Sequence, residues 1–234
     1  MIPQRFIELT SQIGRPDLAR PAYLLSVITV HGVLTTGKWQ KDFATIASDN
    51  LIRVESVDYS YRFPTLRPNR RAEAASQEFV QRYMDQRHWK LPTSAIGHSF
   101  GTFVIGRTLE LNPHLKLERL ILSASILARS FPWSDIVSIG RVKWVMNEHC
   151  PKDRVVPLSQ SWQLLGSRTG ISGNRGFRDL CSGAVANVHY THVGHNKLIT
   201  KLHMEEAWLP FLLHGKVPHG DPKPNAKSWL WWKN

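Results

Sequence analysis

The sequence predicts an α/β fold, with an open and mostly parallel sheet flanked by helices. Several short runs are continuously apolar and β-branched, which is typical of strands buried on both faces. Segments with helical periodicity lie between these runs. Glycines and polar side chains directly follow several of the runs, as expected where parallel strands end at a ligand-binding edge.

The predicted elements alternate along the chain. We predict strands from the apolar runs at 24–30, 51–59, 92–96, 120–126, 142–147 and 186–190. We predict helices from apolar residues at helical spacing at 39–47, 72–89, 102–111, 158–165 and 198–213, the last despite Pro210. Long loops are predicted at 61–70 and 166–183. This order indicates parallel strands joined by helical crossovers.

The length favours one domain. We assign residues 1–217 to it, with a core at about 24–213 and a tail at 218–234. We expect residues 1–21 to form an edge strand or a lead-in, and the Trp-rich tail to fold back onto the domain. Only about fifteen residues separate the predicted fourth and fifth strands, which leaves room for a short helix at most.

The composition excludes some classes of protein. No stretch has the roughly 18 to 20 apolar residues of a membrane span, and no secretory signal is recognisable, so we expect a cytoplasmic protein. The net charge of +12 leaves peripheral membrane contact possible. The basic residues are scattered except for a modest cluster at Arg62, Arg67, Arg70 and Arg71, and no nucleic-acid motif accompanies them, so no nucleic-acid partner is expected.

The segment 97–101 reads Gly-His-Ser-Phe-Gly, at the point where a predicted strand gives way to a helix. A serine between two glycines in such a turn is typical of a nucleophile elbow, in which Ser99 would stand above the sheet edge. The tight turn would leave no room for a Cβ at either glycine. The alternative is a glycine-rich turn in which Ser99 only caps the helix.

A serine nucleophile needs a base and an acid that orients the base. Asp153 follows the fifth predicted strand and is the favoured acid, with Asp135 in reserve; Asp153 could also be a simple turn or cap residue. His195 follows a glycine in the loop after the last strand and is the favoured base, with His192 as the alternative.

Three histidines share the spacing His-x-x-His-x-x-His at 189–195, which also suggests a metal site. No cysteine or carboxylate pattern completes a ligand set, so we predict neither a metal nor a cofactor. We expect His189 to pack within the last strand. Cys150 and Cys181 match no metal spacing, and nothing demands a disulfide between them.

An oxyanion needs two N–H donors. Phe100 follows the nucleophile and would supply one, and the His31-Gly32 turn would bring the N–H of Val33 close as the second. With these residues in place, the chain resembles α/β-hydrolase fold proteins of the lipase and esterase type. The resemblance implies Ser99, Asp153 and His195 as a catalytic triad. The chain departs from it in a very short segment where relatives carry a cap domain, and in a truncated N-terminal hairpin.

The sequence therefore predicts a serine hydrolase that cleaves carboxylic esters of short to medium acyl chains through an acyl-enzyme. A small-molecule ester would be its partner in the reaction. Two alternatives remain open: an interfacial lipase or phospholipase attracted by the positive charge, and a non-catalytic binding protein on the same fold. Thioesters, amides and lactones would use the same machinery.

Overall fold

The computed structural model describes residues 23–33, 37–59, 67–87, 89–165, 167–191 and 194–221. The predicted lead-in at 1–21, most of the loop at 61–70, His192 and all but the first four residues of the tail lie outside these ranges. No helix within them is both long and apolar enough to cross a membrane. Both cysteines are free thiols.

The described residues form one sheet of six strands, and every pair of neighbouring strands is parallel. The spatial order of the strands is β2-β1-β3-β4-β5-β6. Their bounds are β1 (Leu25–Val30), β2 (Ile52–Val57), β3 (Thr93–His98), β4 (Leu117–Ser123), β5 (Val142–His149) and β6 (Val185–His189). The predicted α/β class is thereby confirmed.

Helices cover both faces of the sheet. Those in the described residues are α1 (Lys38–Asp49), α2 (Pro68–Arg87), α3 (Phe100–Leu111), α4 (Trp133–Ser138), α5 (Ser172–Arg175), α6 (Lys201–His203) and α7 (Leu209–His214). Two 3₁₀ segments, Val156–Leu165 and Cys181–Gly183, and a π-helical turn, Met204–Trp208, complete the set. The segment between β4 and β5 holds only α4, as predicted.

Each face of the sheet has its own apolar core. On one face, Phe43 of α1 and Trp208 of the π-helical turn are fully buried against strand residues such as Ile96. On the other face, α2 and α3 pack through residues such as Phe79 and Val104. Because both faces are covered, central strands such as β1 and β4 contain runs of buried apolar residues, and these runs are visible in the sequence.

The predicted bounds of β4 and α2 differ from the observed ones by three or more residues. β4 begins at Leu117 and ends at Ser123, three residues earlier than predicted, because the half-buried Glu118 and Arg119 near its start interrupt the apolar pattern. α2 begins at Pro68, so that Arg70 belongs to a helix and not to the predicted loop. Proline suits a first helical turn, since the N–H that it lacks has no partner there.

Most of the predicted loop at 166–183 is described, from residue 167 onward, and it contains regular structure. It contains α5 and a 3₁₀ turn, and Gly173 lies directly against the end of β4, where a Cβ would stand 2.1 Å from Ser125 N. Its glycines therefore permit close packing. The C-terminal stretch is helical, as predicted, and the π-helical turn lies just before Pro210, whose ring would disrupt a regular α-helical turn.

Candidate active site

The carboxyl edge of the sheet brings the predicted site residues together. β1 and β3 are neighbours, but the chain continues from them to opposite sides of the sheet, and ligands of open α/β sheets bind beyond the carboxyl ends of two such strands. His31-Gly32-Val33 follows β1 and Ser99 follows β3 at this point. Asp153 and His195 follow β5 and β6.

Ser99 occupies a sharp turn between β3 and α3. Its backbone is left-handed, with φ 54° and ψ −120°, which is uncommon for a residue with a Cβ. The turn is held from both sides, since the Ser99 N–H donates to the Ser123 carbonyl at 3.0 Å and the Thr102 N–H donates to the Ser99 carbonyl at 3.0 Å. This strained turn is the predicted elbow, and the N-terminal N–H groups of α3 lie beside it.

Three glycines allow this turn to form. A Cβ at Gly97 would stand 2.8 Å from Ile105 Cδ1, and a Cβ at Gly101 would stand 2.1 Å from the Val30 carbonyl oxygen. The prediction that neither glycine can carry a Cβ is confirmed. At Gly32 a Cβ would stand 2.8 Å from Ser99 Cβ. The loop after β1 therefore touches the serine only because Gly32 has no side chain.

The side chains of Ser99, His195 and Asp153 form a continuous hydrogen-bonded chain. His195 Nε2 lies 2.9 Å from Ser99 Oγ, and His195 Nδ1 lies 2.8 Å from Asp153 Oδ2. A carboxylate only accepts, so Nδ1 carries the hydrogen and Nε2 is the unprotonated nitrogen when the ring is neutral. The imidazole is therefore oriented to accept a proton from the serine hydroxyl.

Asp153 is held by backbone groups of its own loop. Its Oδ1 accepts hydrogen bonds from the N–H groups of Val155 at 2.8 Å and Val156 at 3.1 Å. Burial raises the pKa of this carboxyl, but the hydrogen bond from His195 and those from the two backbone N–H groups outweigh it, so that the pKa lies below its ordinary value. Asp153 is thus ionised at neutral pH.

Asn174, on α5, holds the loop of Asp153 through side-chain hydrogen bonds, a role that the sequence does not predict. Its Nδ2 donates to the carbonyls of Cys150, Pro151 and Asp153 at 2.9 to 3.3 Å. An asparagine in a Gly/Ser-rich stretch gives no sequence signal for such a role. The reserve acid, Asp135, lies exposed in the first turn of α4.

His189 is the last residue of β6, so it lies within the strand as predicted, but it is exposed rather than packed. Its ring lies 4.9 Å from that of His149 on the neighbouring strand. In the part of the chain that the structure describes, no group of three or more His, Cys, Asp or Glu residues is arranged to hold a metal ion. Of the described histidines in the 189–195 run, His195 is the one that bonds to Ser99 and Asp153.

Aromatic rings pack beside Ser99. Phe100, which follows the serine, packs edge-on against Tyr59 at 6.1 Å and against Trp162 at 5.7 Å between ring centroids. Tyr59 stacks on His31 at 4.4 Å and donates its hydroxyl to the His31 carbonyl. These contacts fix the loop after β1, in which Val33 is half-buried.

Comparison with known proteins finds matches to solved structures, which relate this chain to them by fold. No family model matches it. No curated protein matches it either. Among solved structures, TT1662 from Thermus thermophilus superposes with a TM-score of 0.54 at 17% identity, over 82% of this chain and 89% of that one. An uncharacterized protein from Bacillus cereus gives 0.57 at 13% identity, over 91% of this chain and 68% of that one.

A further structural relative is XC6422 from Xanthomonas campestris, described as an a/b serine hydrolase without lid. Its TM-score is 0.50 at 16% identity, over 89% of this chain and 88% of that one. The parallel six-stranded sheet, the helices on both faces and the short segment between β4 and β5 agree with that architecture. This chain therefore has the α/β-hydrolase fold, in a form without a sizeable cap.

Proposed function

We propose that this protein is a serine hydrolase that cleaves carboxylic esters through a Ser99–His195–Asp153 triad. The observation that carries the proposal is the hydrogen-bonded chain of the three side chains, with 2.9 Å from Ser99 Oγ to His195 Nε2 and 2.8 Å from His195 Nδ1 to Asp153 Oδ2. A binding protein has no need of this alignment. The relationship in fold to a protein described as a serine hydrolase supports the same class of activity.

The reaction would start with Ser99. Its Oγ attacks the ester carbonyl carbon while His195 Nε2 takes the hydroxyl proton. Asp153, ionised and fixed by two backbone N–H groups, stabilises the imidazolium that forms. The proton then passes from His195 to the leaving alkoxide oxygen, which departs as the alcohol and leaves an acyl group on Ser99.

The negative charge of the tetrahedral intermediate needs donors in place before the reaction. We assign this role to the backbone N–H groups of Phe100, at the N-terminus of α3, and of Val33, in the loop that Gly32 brings against Ser99. One such donor is worth about 3 kcal/mol in comparable enzymes. Water, activated by His195, then attacks the acyl-enzyme and releases the acid and free Ser99.

Labelling with a fluorophosphonate, which reacts with an activated serine, tests the nucleophile. We expect the probe to label the wild type and to leave Ser99→Ala unlabelled, with ester hydrolysis reduced by at least about 10³-fold. Ser134→Ala is the control, because Ser134 lies exposed on α4. Labelling that persists in Ser99→Ala would show that another residue is the nucleophile, and an unlabelled wild type would favour the binding protein.

A series of p-nitrophenyl esters tests the proposed substrate class. Because only α4 lies between β4 and β5, the acyl chain would be bound in an open mouth. Each CH₂ that extends into this open mouth should then gain less than about 0.8 kcal/mol, the value for full burial. We expect kcat/KM to peak at short or medium chains. A preference for long chains, or a jump in rate at the solubility limit, would favour the interfacial lipase instead.

A further inference from the structure

His98, the last residue of β3, connects the nucleophile to the loop that carries the base. Its side chain is completely buried. Its Nε2 lies 3.1 Å from the backbone carbonyl oxygen of His195, and the two rings are 5.0 Å apart at 56°. A carbonyl oxygen only accepts, so Nε2 carries the hydrogen and donates it.

The other side of the His98 ring faces the loop after β1. Nδ1 has no hydrogen-bond partner among the described residues, and a Cβ on Gly32 would stand 3.3 Å from it. Burial, followed in weight by the neighbouring His195, lowers the pKa of His98 to about 4. His98 therefore stays neutral at neutral pH and keeps one donor, which is aimed at His195.

The backbone around His195 belongs to no strand or helix. It forms a turn in which the Lys197 N–H donates to the Gly194 carbonyl at 3.0 Å. Ahead of it along the chain, Thr191 is tied through its N–H and its hydroxyl to Asp221. At His195 itself, the side-chain bond from His98 reaches the backbone of the base.

We propose that His98 is a positioning residue that sets the distance between His195 and Ser99. His98 and Ser99 are adjacent in the chain, so the bond from His98 ties the backbone of the base to the residue beside the nucleophile. The base and the nucleophile are then displaced together rather than independently. Its kinetic consequence rests on the proposed function, since a displacement of about 1 Å in a reacting group can cost about 10²-fold in rate.

Three substitutions separate the hydrogen bond from the volume of the ring. In His98→Gln the amide nitrogen can occupy the position of Nε2, in His98→Asn the shorter side chain cannot reach it, and His98→Leu has no donor. The control is Ser123→Ala, at the register position paired with His98 on β4, whose buried hydroxyl has no partner among the described residues.

We expect kcat for a short-chain ester to fall by about 10- to 100-fold in His98→Asn and His98→Leu, with KM changed less than about threefold. His98→Gln and Ser123→Ala should stay within about threefold of the wild type in both constants. Equal losses in His98→Gln and His98→Asn would overturn the proposal, because the donor would then not matter. A loss confined to KM would also overturn it.

Hydrogen exchange tests the same proposal without any substrate. The backbone N–H groups of 194–198 should exchange about tenfold faster in His98→Asn and His98→Leu than in the wild type, with His98→Gln and Ser123→Ala unchanged. Unaltered exchange in all variants would refute the anchoring role even in an active enzyme. Faster exchange in a protein that neither hydrolyses esters nor binds the fluorophosphonate would support the anchor and refute the proposed function.

Discussion

Replacing Asp153 with asparagine tests the role of the acid without removing its support. The two carboxylate oxygens have separate tasks, since Oδ1 accepts from the Val155 and Val156 N–H groups and Oδ2 accepts from His195 Nδ1. In Asp153→Asn the amide oxygen can keep both backbone bonds, while the NH₂ group faces Nδ1. Two donors cannot bond, so the ring must place its hydrogen on Nε2, where it can no longer take the serine proton.

The expected loss in kcat is about 10³- to 10⁴-fold, which corresponds to about 4 to 5.5 kcal/mol of transition-state stabilisation. Stability should fall by less than about 1 kcal/mol in Asp153→Asn, whereas Asp153→Ala leaves two backbone N–H groups without an acceptor and should lose about 2 to 3 kcal/mol. Asp135→Asn is the matched control, because the exposed Asp135 is the alternative acid.

The assay is kcat for a short-chain p-nitrophenyl ester, together with urea unfolding of each variant. Asp135→Asn should stay within about twofold of the wild type in kcat. A loss below about tenfold in Asp153→Asn would refute the assignment of the acid. An equal loss in Asp135→Asn would refute the reasoning that Asp153 orients the base through a direct bond.

Two further predictions concern stability. Gly101→Ala should lose about 3 kcal/mol or more in urea unfolding, because its Cβ would meet the β1 backbone at 2.1 Å. Gly194→Ala should lose less than about 1 kcal/mol, because among the described residues its Cβ would meet only Lys197 Cγ, at 3.9 Å; equal losses would contradict the packing argument. Folding lowers the pKa of His98 from 6.5 to about 4, so between these pH values only the unfolded chain binds a proton there. When the pH drops from 7 to 4, the free energy of unfolding should therefore fall by about 3 kcal/mol more in the wild type than in His98→Gln. Equal losses in the two proteins would contradict this prediction. His203 also titrates, but its contribution is the same in both proteins and cancels in the comparison. Burial lowers the pKa of His203, but the buried Glu148 raises it by more, so the pKa lies above its ordinary value. The stability that this pair adds is present below the ordinary pKa of histidine and is lost at higher pH.

The fold was predictable because helices cover both faces of the sheet, so that the strands contain buried apolar residues on both faces. β1 is buried at every position and stands out as a largely apolar, β-branched run, whereas β3 is equally buried but contains Thr93, Ser94 and His98. The bounds were less predictable where burial is partial. β4 begins with Leu117-Glu118-Arg119, in which two of the three residues are only half-buried, and the start of the run is therefore obscured by charge.

The part of the candidate site that could be predicted is the set of residues that follow strands along the chain. Ser99, Asp153 and His195 each follow a strand, and the structure brings all three into hydrogen-bond contact. Asn174 and His98 act through bonds to backbone carbonyls 21 and 97 residues away, respectively. Such bonds impose no spacing and no residue pattern on the sequence, so only the folded chain reveals them.

Left-handed backbone alone does not mark the site, because Leu51 and Lys90 share it with Ser99. Leu51 and Lys90 follow the ends of α1 and α2, where a left-handed residue is a common way to terminate a helix. Ser99 precedes a helix, so helix termination does not account for its positive φ. Its strain, worth about 1 to 3 kcal/mol, is therefore explained by what the turn achieves, which is to hold a buried hydroxyl 2.9 Å from His195 Nε2 at the N-terminus of α3.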